Sequence, residues 1–135
     1  ITGNLPNTNC NSQNPYLIAA VDKNTVYVLN NQSMTVNKTI DGGNTWQPIT
    51  ANLNQINTIK VKEMVAADQN ILYLAAANGN IFATFDGGQS WNLLERGIQQ
   101  NNLNFVNTLT LISPSKYKLV IGTTIGLVGT WSAGN

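Results

Sequence analysis

The sequence contains no histidine, a single cysteine and few charged residues. Histidine is the commonest metal ligand and general base in proteins, so we predict neither a metal site nor a cofactor. Cys10 has no partner for an internal disulfide, and we expect it to be a free thiol in a loop. Charged residues make up 10% of the chain and the net charge is +1, so no strong field exists to attract nucleic acid. Because no apolar run approaches the roughly 20 residues of a membrane span, we also predict no membrane span.

Most of the polarity of the chain comes from asparagine rather than from charge. The sequence holds 22 Asn, against 7 Lys and Arg and 6 Asp and Glu. We therefore expect a surface that is wetted mainly by neutral amides and has weak electrostatics.

One eight-residue motif occurs twice, as TIDGGNTW at 39–46 and as TFDGGQSW at 84–91. In each copy the Asp side chain can accept hydrogen bonds from backbone N–H groups one or two residues ahead, and the paired glycines allow the positive φ angles of a tight hairpin. The later hydroxyl, from Thr45 or Ser90, can close the far side of the turn. The final Trp begins the next strand and buries its ring against the turn. The motif predicts a self-capped turn that needs no ligand.

The two stretches resemble the Asp-box, also called the bacterial neuraminidase repeat, with the pattern [Ser/Thr]-x-Asp-x-Gly-x-[Ser/Thr]-Trp. Proteins with this repeat include sialidases, xyloglucan-cleaving hydrolases, sortilin-type receptors and photosystem II stability and assembly factors; the last two are nearest in style. The resemblance implies a β-propeller in which the motif joins the outer two strands of a four-stranded blade. It also implies a structural role for the matching residues, which are Thr39, Asp41, Gly43, Thr45, Trp46, Thr84, Asp86, Gly88, Ser90 and Trp91.

Short apolar or alternating segments separated by turn residues predict an all-β chain of about three four-stranded antiparallel blades. Asp41 and Asp86 lie 45 residues apart, which is about the length of one blade. The first blade covers 16–53, with strands at 16–21, 25–29, 34–39 and 45–50. The second covers 54–98, with strands at 56–67, 71–76, 80–85 and 91–96. The third covers 99–135, with strands at 106–112, 119–123 and 126–131. A helical turn at 91–99 is the alternative by propensity, but the position after the motif favours a strand.

The two ends of the sequence look complementary. ITGNL at 1–5 echoes ITANL at 49–53, so we predict that 1–15 holds the outer strand of another blade followed by a loop. The stretch 132–135 stands where the third blade needs its Asp-box, and that blade lacks an outer strand. Because propellers have about 4 to 8 blades, we expect either a fragment of a longer propeller or closure by a homo-oligomer.

The inventory of charged residues argues against a complete active site within the chain. Sialidases hold their substrate with three arginines, and Arg96 is the single arginine here. Glycosidases need two carboxylates across a cleft. The six acids do not suggest such a pair, because four fall in predicted turns and two are isolated in strands: Asp22, Asp41, Asp68, Asp86, Glu63 and Glu95. We therefore predict no catalytic residue, although a longer parent chain could complete half a site.

The order of the strands places the motif turns and the Asp22 and Asp68 turns at one end of the blades. The opposite end is built from the loops at 30–33, 52–55, 78–80, 97–102 and 123–126. This opposite end is nearly all amide and hydroxyl, which suits a peptide backbone or sugar hydroxyls. Its candidate binding residues are Asn30, Asn31, Gln32, Asn52, Asn54, Asn78, Asn80, Arg96, Gln99 and Thr124. The alternative is that these loops are only solvated.

The sequence favours a non-catalytic binding or assembly scaffold that recognises a protein or glycan through this Asn/Gln-rich end. Two alternatives stay open: a fragment of a carbohydrate-active propeller of the glycoside hydrolase kind, and a lectin-like module that closes by oligomerisation. We expect export to the periplasm or the extracellular space, from the habit of the resembling proteins and the low charge.

Overall fold

The computed structural model describes residues 16–49, 60–95, 106–111, 118–123 and 128–132. Within these ranges the regular structure consists of β-strands joined by turns, and no helix occurs. The strands form three antiparallel sheets, each with its strands in chain order. The prediction of an all-β chain is confirmed.

The first sheet has the order β1-β2-β3-β4 and forms blade 1. Its strands are β1 (Tyr16–Ala20), β2 (Val26–Asn30), β3 (Thr35–Thr39) and β4 (Gln47–Pro48). The first three strands begin and end within one residue of the predicted positions.

β4 is much shorter than the strand predicted at 45–50. The backbone N–H of Thr45 donates to the Asp41 carboxylate at 2.9 Å, so the turn takes the donor that a longer strand would use. β4 pairs with β3 at two positions, Gln47 with Lys38 and Pro48 with Asn37. One further hydrogen bond, from the N–H of Ile49 to the carbonyl of Val36 at 2.9 Å, continues the contact beyond the strand.

The second sheet repeats the arrangement as β5-β6-β7-β8 and forms blade 2. Its strands are β5 (Val61–Ala66), β6 (Leu72–Ala76), β7 (Ile81–Thr84) and β8 (Asn92–Glu95). β5 begins five residues later than the predicted start at 56, and 56–59 lie outside the described residues. The register shifts between Val61 and Glu63, which leaves Lys62 as an extra residue in β5. The strand prediction after the second motif is confirmed over β8, and the helical alternative is wrong there.

The third sheet has the order β11-β10-β9 and consists of β9 (Val106–Leu111), β10 (Lys118–Thr123) and β11 (Val128–Ser132). These are the three strands expected for the third blade. The predicted outer strand in 1–15 and the blade boundaries at 53/54 and 98/99 fall outside the described residues and stay predictions.

Two apolar layers cover the opposite faces of blade 2. The first lies between blades 1 and 2 and is built mainly from Tyr27, Leu29, Val36, Ile49, Met64, Leu72, Leu74 and Phe82. The second lies on the far face of blade 2, around Tyr73 and Ile81, both fully buried. The first strands of the three sheets are neighbours, since β5 contacts both β1 and β9. Four-stranded meanders stacked face to face with their first strands converging are β-propeller blades.

Candidate functional site

The first motif turn, residues 39–46, is closed by side-chain hydrogen bonds. Asp41 Oδ1 accepts from the N–H of Thr45 at 2.9 Å and from Thr39 Oγ1 at 2.8 Å, and Asp41 Oδ2 accepts from Thr45 Oγ1 at 2.6 Å. Thr39 Oγ1 in turn accepts from the N–H of Gly43 at 2.9 Å. Gly42 and Gly43 have φ angles of 72° and 93°, which favour glycine.

The second motif turn, residues 84–91, repeats this network. Asp86 accepts from the N–H and the hydroxyl of Ser90 at 2.9 and 2.5 Å, and Thr84 Oγ1 accepts from the N–H of Gly88 at 2.8 Å. Hydrogen bonds from the Thr45 or Ser90 hydroxyl, followed by those from the backbone, lower the pKa of both Asp41 and Asp86 from 3.8 to about 2. Both carboxylates are therefore ionised at neutral pH and bonded within their own turns.

Two details of the turns differ from the sequence-based expectation. Each Asp side chain reaches the residue four ahead rather than one or two, because the two glycines fold the chain back over the carboxylate. The hydroxyl that begins the motif, from Thr39 or Thr84, supplies the bond to the second glycine. This threonine is part of the sequence pattern, but no role was predicted for its hydroxyl.

The two tryptophans occupy the same position after their turns but donate to different carbonyls. Trp46 Nε1 donates to Gly43 of its own turn at 3.1 Å, whereas Trp91 Nε1 donates across the blade interface to Ile49 at 3.1 Å. Both rings are half-buried rather than fully buried against the turn.

The hairpin turns that join the first two strands of each blade lie beside the motif turns. Asp22 Oδ1 accepts from the N–H groups of Asn24 and Thr25, both at 2.8 Å, and Asp68 Oδ1 accepts from two equivalent N–H groups at 2.7 and 2.9 Å. The N–H of Gly42 donates to the carbonyl of Asn24 at 3.0 Å, and Gly87 makes the equivalent bond in blade 2 at 2.9 Å. The four turns thus share one end of blades 1 and 2, which we call the turn end.

At the opposite end, the structure separates the predicted binding residues into two groups. Asn30 and Asn31 are buried. Asn30 Oδ1 accepts from the N–H of Gln32 at 2.8 Å, and Asn31 bonds both the N–H and the carbonyl of Val61 at 3.0 Å. These two amides hold the turn and the blade interface and do not face solvent.

The second group is accessible. Gln32 and Asn78 are exposed, and Asn80 is half-buried with its N–H bonded to the side chain of Asn78 at 3.1 Å. The other five predicted residues lie outside the described part of the chain: Asn52, Asn54, Arg96, Gln99 and Thr124.

The structure forms a cleft at the turn end, between blades 1 and 2, that no sequence pattern had indicated. It has a volume of about 310 Å³, at the lower limit for ligand pockets. Its walls come from β3 and β4 of blade 1 and from both turns of blade 2. The lining residues are Lys38, Gln47, Pro48, Ile49, Asn70, Asp86, Gly87, Gly88 and Gln89. Because such a cleft depends on how two blades stack, no local pattern could have located it.

Asp86 is the one acid among the described residues that line the cleft between blades 1 and 2. Each described Asp accepts hydrogen bonds within its own turn, and Glu63 Oε1 accepts from the N–H of the adjacent Met64 at 3.3 Å. Across the described ranges, no three His, Cys, Asp or Glu residues come together as metal ligands would. The same ranges hold no helix with the length and apolarity to cross a membrane.

The fold and the paired turns define a protein of the β-propeller class. Solved structures agree. YCF48 bound to a D1 peptide aligns over 86% of this chain and 37% of its own, with 19% identity and a TM-score of 0.66. YCF48 from Cyanidioschyzon merolae aligns over 91% of this chain and 39% of its own, with 16% identity and a TM-score of 0.62.

A third similar structure is a GH74 enzyme from Niastella koreensis, which aligns over 79% of this chain and 19% of its own, with 15% identity and a TM-score of 0.56. No family model and no curated protein matches the sequence. This chain spans less than two-fifths of each of these three proteins. The likeness shows the fold, and membership of the Asp-box family stays a prediction from the motif.

Proposed function

We propose that this chain is part of a non-catalytic β-propeller scaffold that binds a partner protein through its Asn/Gln-rich end. The observation that carries the proposal is how the acidic side chains are used. Each described Asp is hydrogen-bonded within a turn at the turn end, while exposed neutral amides occupy the Asn/Gln-rich end. Such a surface can recognise peptide groups by hydrogen bonds but offers no paired acid and base for hydrolysis.

The similarity to YCF48 bound to a D1 peptide supports a protein partner, because that similar propeller binds a peptide. The partial coverage of the similar propellers supports further blades in the complete assembly, supplied by a longer chain or by other copies. The Asp-box assignment and export from the cytoplasm belong to the same proposal. The neutral amides also suit a glycan, which is the alternative partner within the same scaffold proposal.

The second candidate function is a carbohydrate-active propeller, which the similarity to the GH74 enzyme favours. In that case the missing carboxylate partners would come from other blades. The two functions differ in whether a glycan is cleaved.

The test measures binding and cleavage separately. Fluorescence anisotropy with a labelled D1 peptide measures binding to the wild-type chain and to the double variant Gln32→Ala/Asn78→Ala. Because these two amides are exposed at the proposed face, we expect the double variant to bind roughly tenfold more weakly. Asn24→Ala is the matched control, since Asn24 is an exposed amide at the turn end, and its affinity should equal that of the wild type.

Cleavage is followed as sugar release from xyloglucan, and we expect none. Sugar release would replace the scaffold proposal by the second function. Absence of saturable peptide binding, or equal binding by the double variant, would contradict recognition of a protein at this end.

A further inference from the structure

We propose that the cleft between β4 and the second motif turn binds an extended peptide segment that carries a carboxylate, with Lys38 as its charged contact. This is a second site, at the turn end, and it does not depend on the Asn/Gln-rich end. A ligand there would touch both blade 1 and blade 2, since both supply the walls.

The first argument is that Lys38 is held in place. Its Nζ donates to the carbonyl of Gln69 in blade 2 and lies 5.8 Å from the centroid of the Tyr27 ring in blade 1. The Tyr27 hydroxyl also donates to the Gln69 carbonyl, at 2.7 Å. An ammonium group fixed in this way loses less conformational freedom when a ligand binds than a lysine extended into solvent does.

The second argument is spare hydrogen-bonding capacity. An ammonium group has three N–H donors, and within the described residues Lys38 donates to a single carbonyl. Burial lowers the pKa of Lys38, while the charge of Asp68 acts in the opposite direction. A carboxylate in the cleft would accept from the remaining donors in a charge-assisted bond.

The third argument is that Lys38 departs from the repeat. In blade 1 Tyr27 pairs across the strands with Lys38, and in blade 2 Tyr73 pairs with Ala83. The fold thus accepts alanine at this position, and packing of the blade does not require a cation there. Lys38 is therefore specific to the cleft between blades 1 and 2 and is not part of the repeated pattern.

The remaining walls suit a peptide rather than a free ion. Gln47 and Asn70 place exposed amides at the cleft, and Pro48 with the backbone of Gly87 adds a surface without long side chains. Asp86 also lines the cleft, and its ionised carboxylate opposes the binding of any anion. A bare anion gains little from such a lining, whereas an extended segment can use the amides and Lys38 together.

An exposed apolar side chain follows Lys38 closely in the chain. Ile40, two residues after Lys38, is 61% exposed. Its counterpart in blade 2, Phe85, packs edge-on against Tyr73 with ring centroids 6.0 Å apart. Ile40 therefore offers contact area for an apolar residue that neighbours the carboxylate of the ligand.

The experiment is an NMR titration of the ¹⁵N-labelled chain with two capped tripeptides, acetyl-Ala-Glu-Ala-amide and its Gln analogue. We expect the Glu peptide to cause saturable shifts of the Gly87 and Gly88 amide signals. The Gln peptide should bind about tenfold more weakly, because it lacks the charge-assisted bond. Lys38→Met should weaken binding of the Glu peptide by a similar factor, and Lys38→Arg should restore most of it.

Lys23→Met is the matched control, since Lys23 is an exposed lysine at the same end outside the cleft. Its affinity should equal that of the wild type, and the spectrum of each variant shows whether the blades stay folded. Equal affinity for the two peptides, undiminished binding by folded Lys38→Met, or no saturable shift at Gly87 and Gly88 would each overturn the proposal. None of these results bears on binding at Gln32 and Asn78.

Discussion

Replacing Asn31 by Ala tests how blade 1 is joined to blade 2. Asn31 is 6% exposed, and its amide accepts from the N–H of Val61 and donates to the carbonyl of Val61, both at 3.0 Å. Val61 is 3% exposed, so the truncation leaves a buried donor and a buried acceptor without this partner. At about 1–3 kcal/mol for each unsatisfied group, reduced where water enters the space, we expect a loss of about 2–5 kcal/mol.

Urea unfolding followed by tryptophan fluorescence measures this change. The midpoint should fall while the slope with denaturant stays constant, because the surface exposed on unfolding is nearly unchanged. Gln32→Ala is the matched control: Gln32 is the neighbouring amide and is exposed, so its effect should stay within about 0.5 kcal/mol. If Asn31→Ala unfolds at the same urea concentration as this control, the bonds to Val61 do not join the blades.

Three further predictions concern the turn end. Gly88→Ala should cost at least about 2 kcal/mol, because φ is +95° and an added Cβ would lie 2.5 Å from Ile49 Cβ. Gly87→Ala should cost less in the same urea assay, because the nearest atom to its added Cβ is Lys38 Nζ at 3.3 Å. In the folded state the pKa of Asp41 and Asp86 is about 2, below the ordinary 3.8. Their contribution to the free energy of unfolding is therefore complete above about pH 4 and is lost as the pH falls towards 2. A urea midpoint that does not change across this interval would contradict the turn geometry. Tyr27→Phe removes the bond from the Tyr27 hydroxyl to the Gln69 carbonyl and should lower the free energy of unfolding by about 0.5–1.5 kcal/mol. An unchanged melting temperature would show that this bond contributes nothing to stability.

The blade architecture could be predicted because its signals are local. Two glycines beside an aspartate specify a hairpin wherever they occur, and the strands before them alternate or run apolar. The repeat then placed β1 to β3 within one residue. The start of β4 could not be placed in this way, because it depends on whether Thr45 bonds to the turn or to a strand.

The candidate site was less predictable, since it depends on contacts between blades. An Asn-rich loop looks the same in sequence whether its amides face solvent, as at Gln32, or are buried, as at Asn31. The cleft at Lys38 needs β3 and β4 of one blade and the turns of the next. Contacts of this kind between two blades cannot be inferred from the sequence of either blade alone.

The brevity of β4 also affects how the folded molecule behaves at high concentration. The last strand of a blade is a sheet edge, and an open edge can recruit a strand from another molecule and start aggregation. In blade 1 this edge is two residues long and includes Pro48, which has no N–H to donate. β8, the corresponding edge of blade 2, is four residues long and contains no proline. Pro48 and the short length of β4 therefore block strand addition and fibril growth at the edge of blade 1. At the edge of blade 2, protection depends on what surrounds β8.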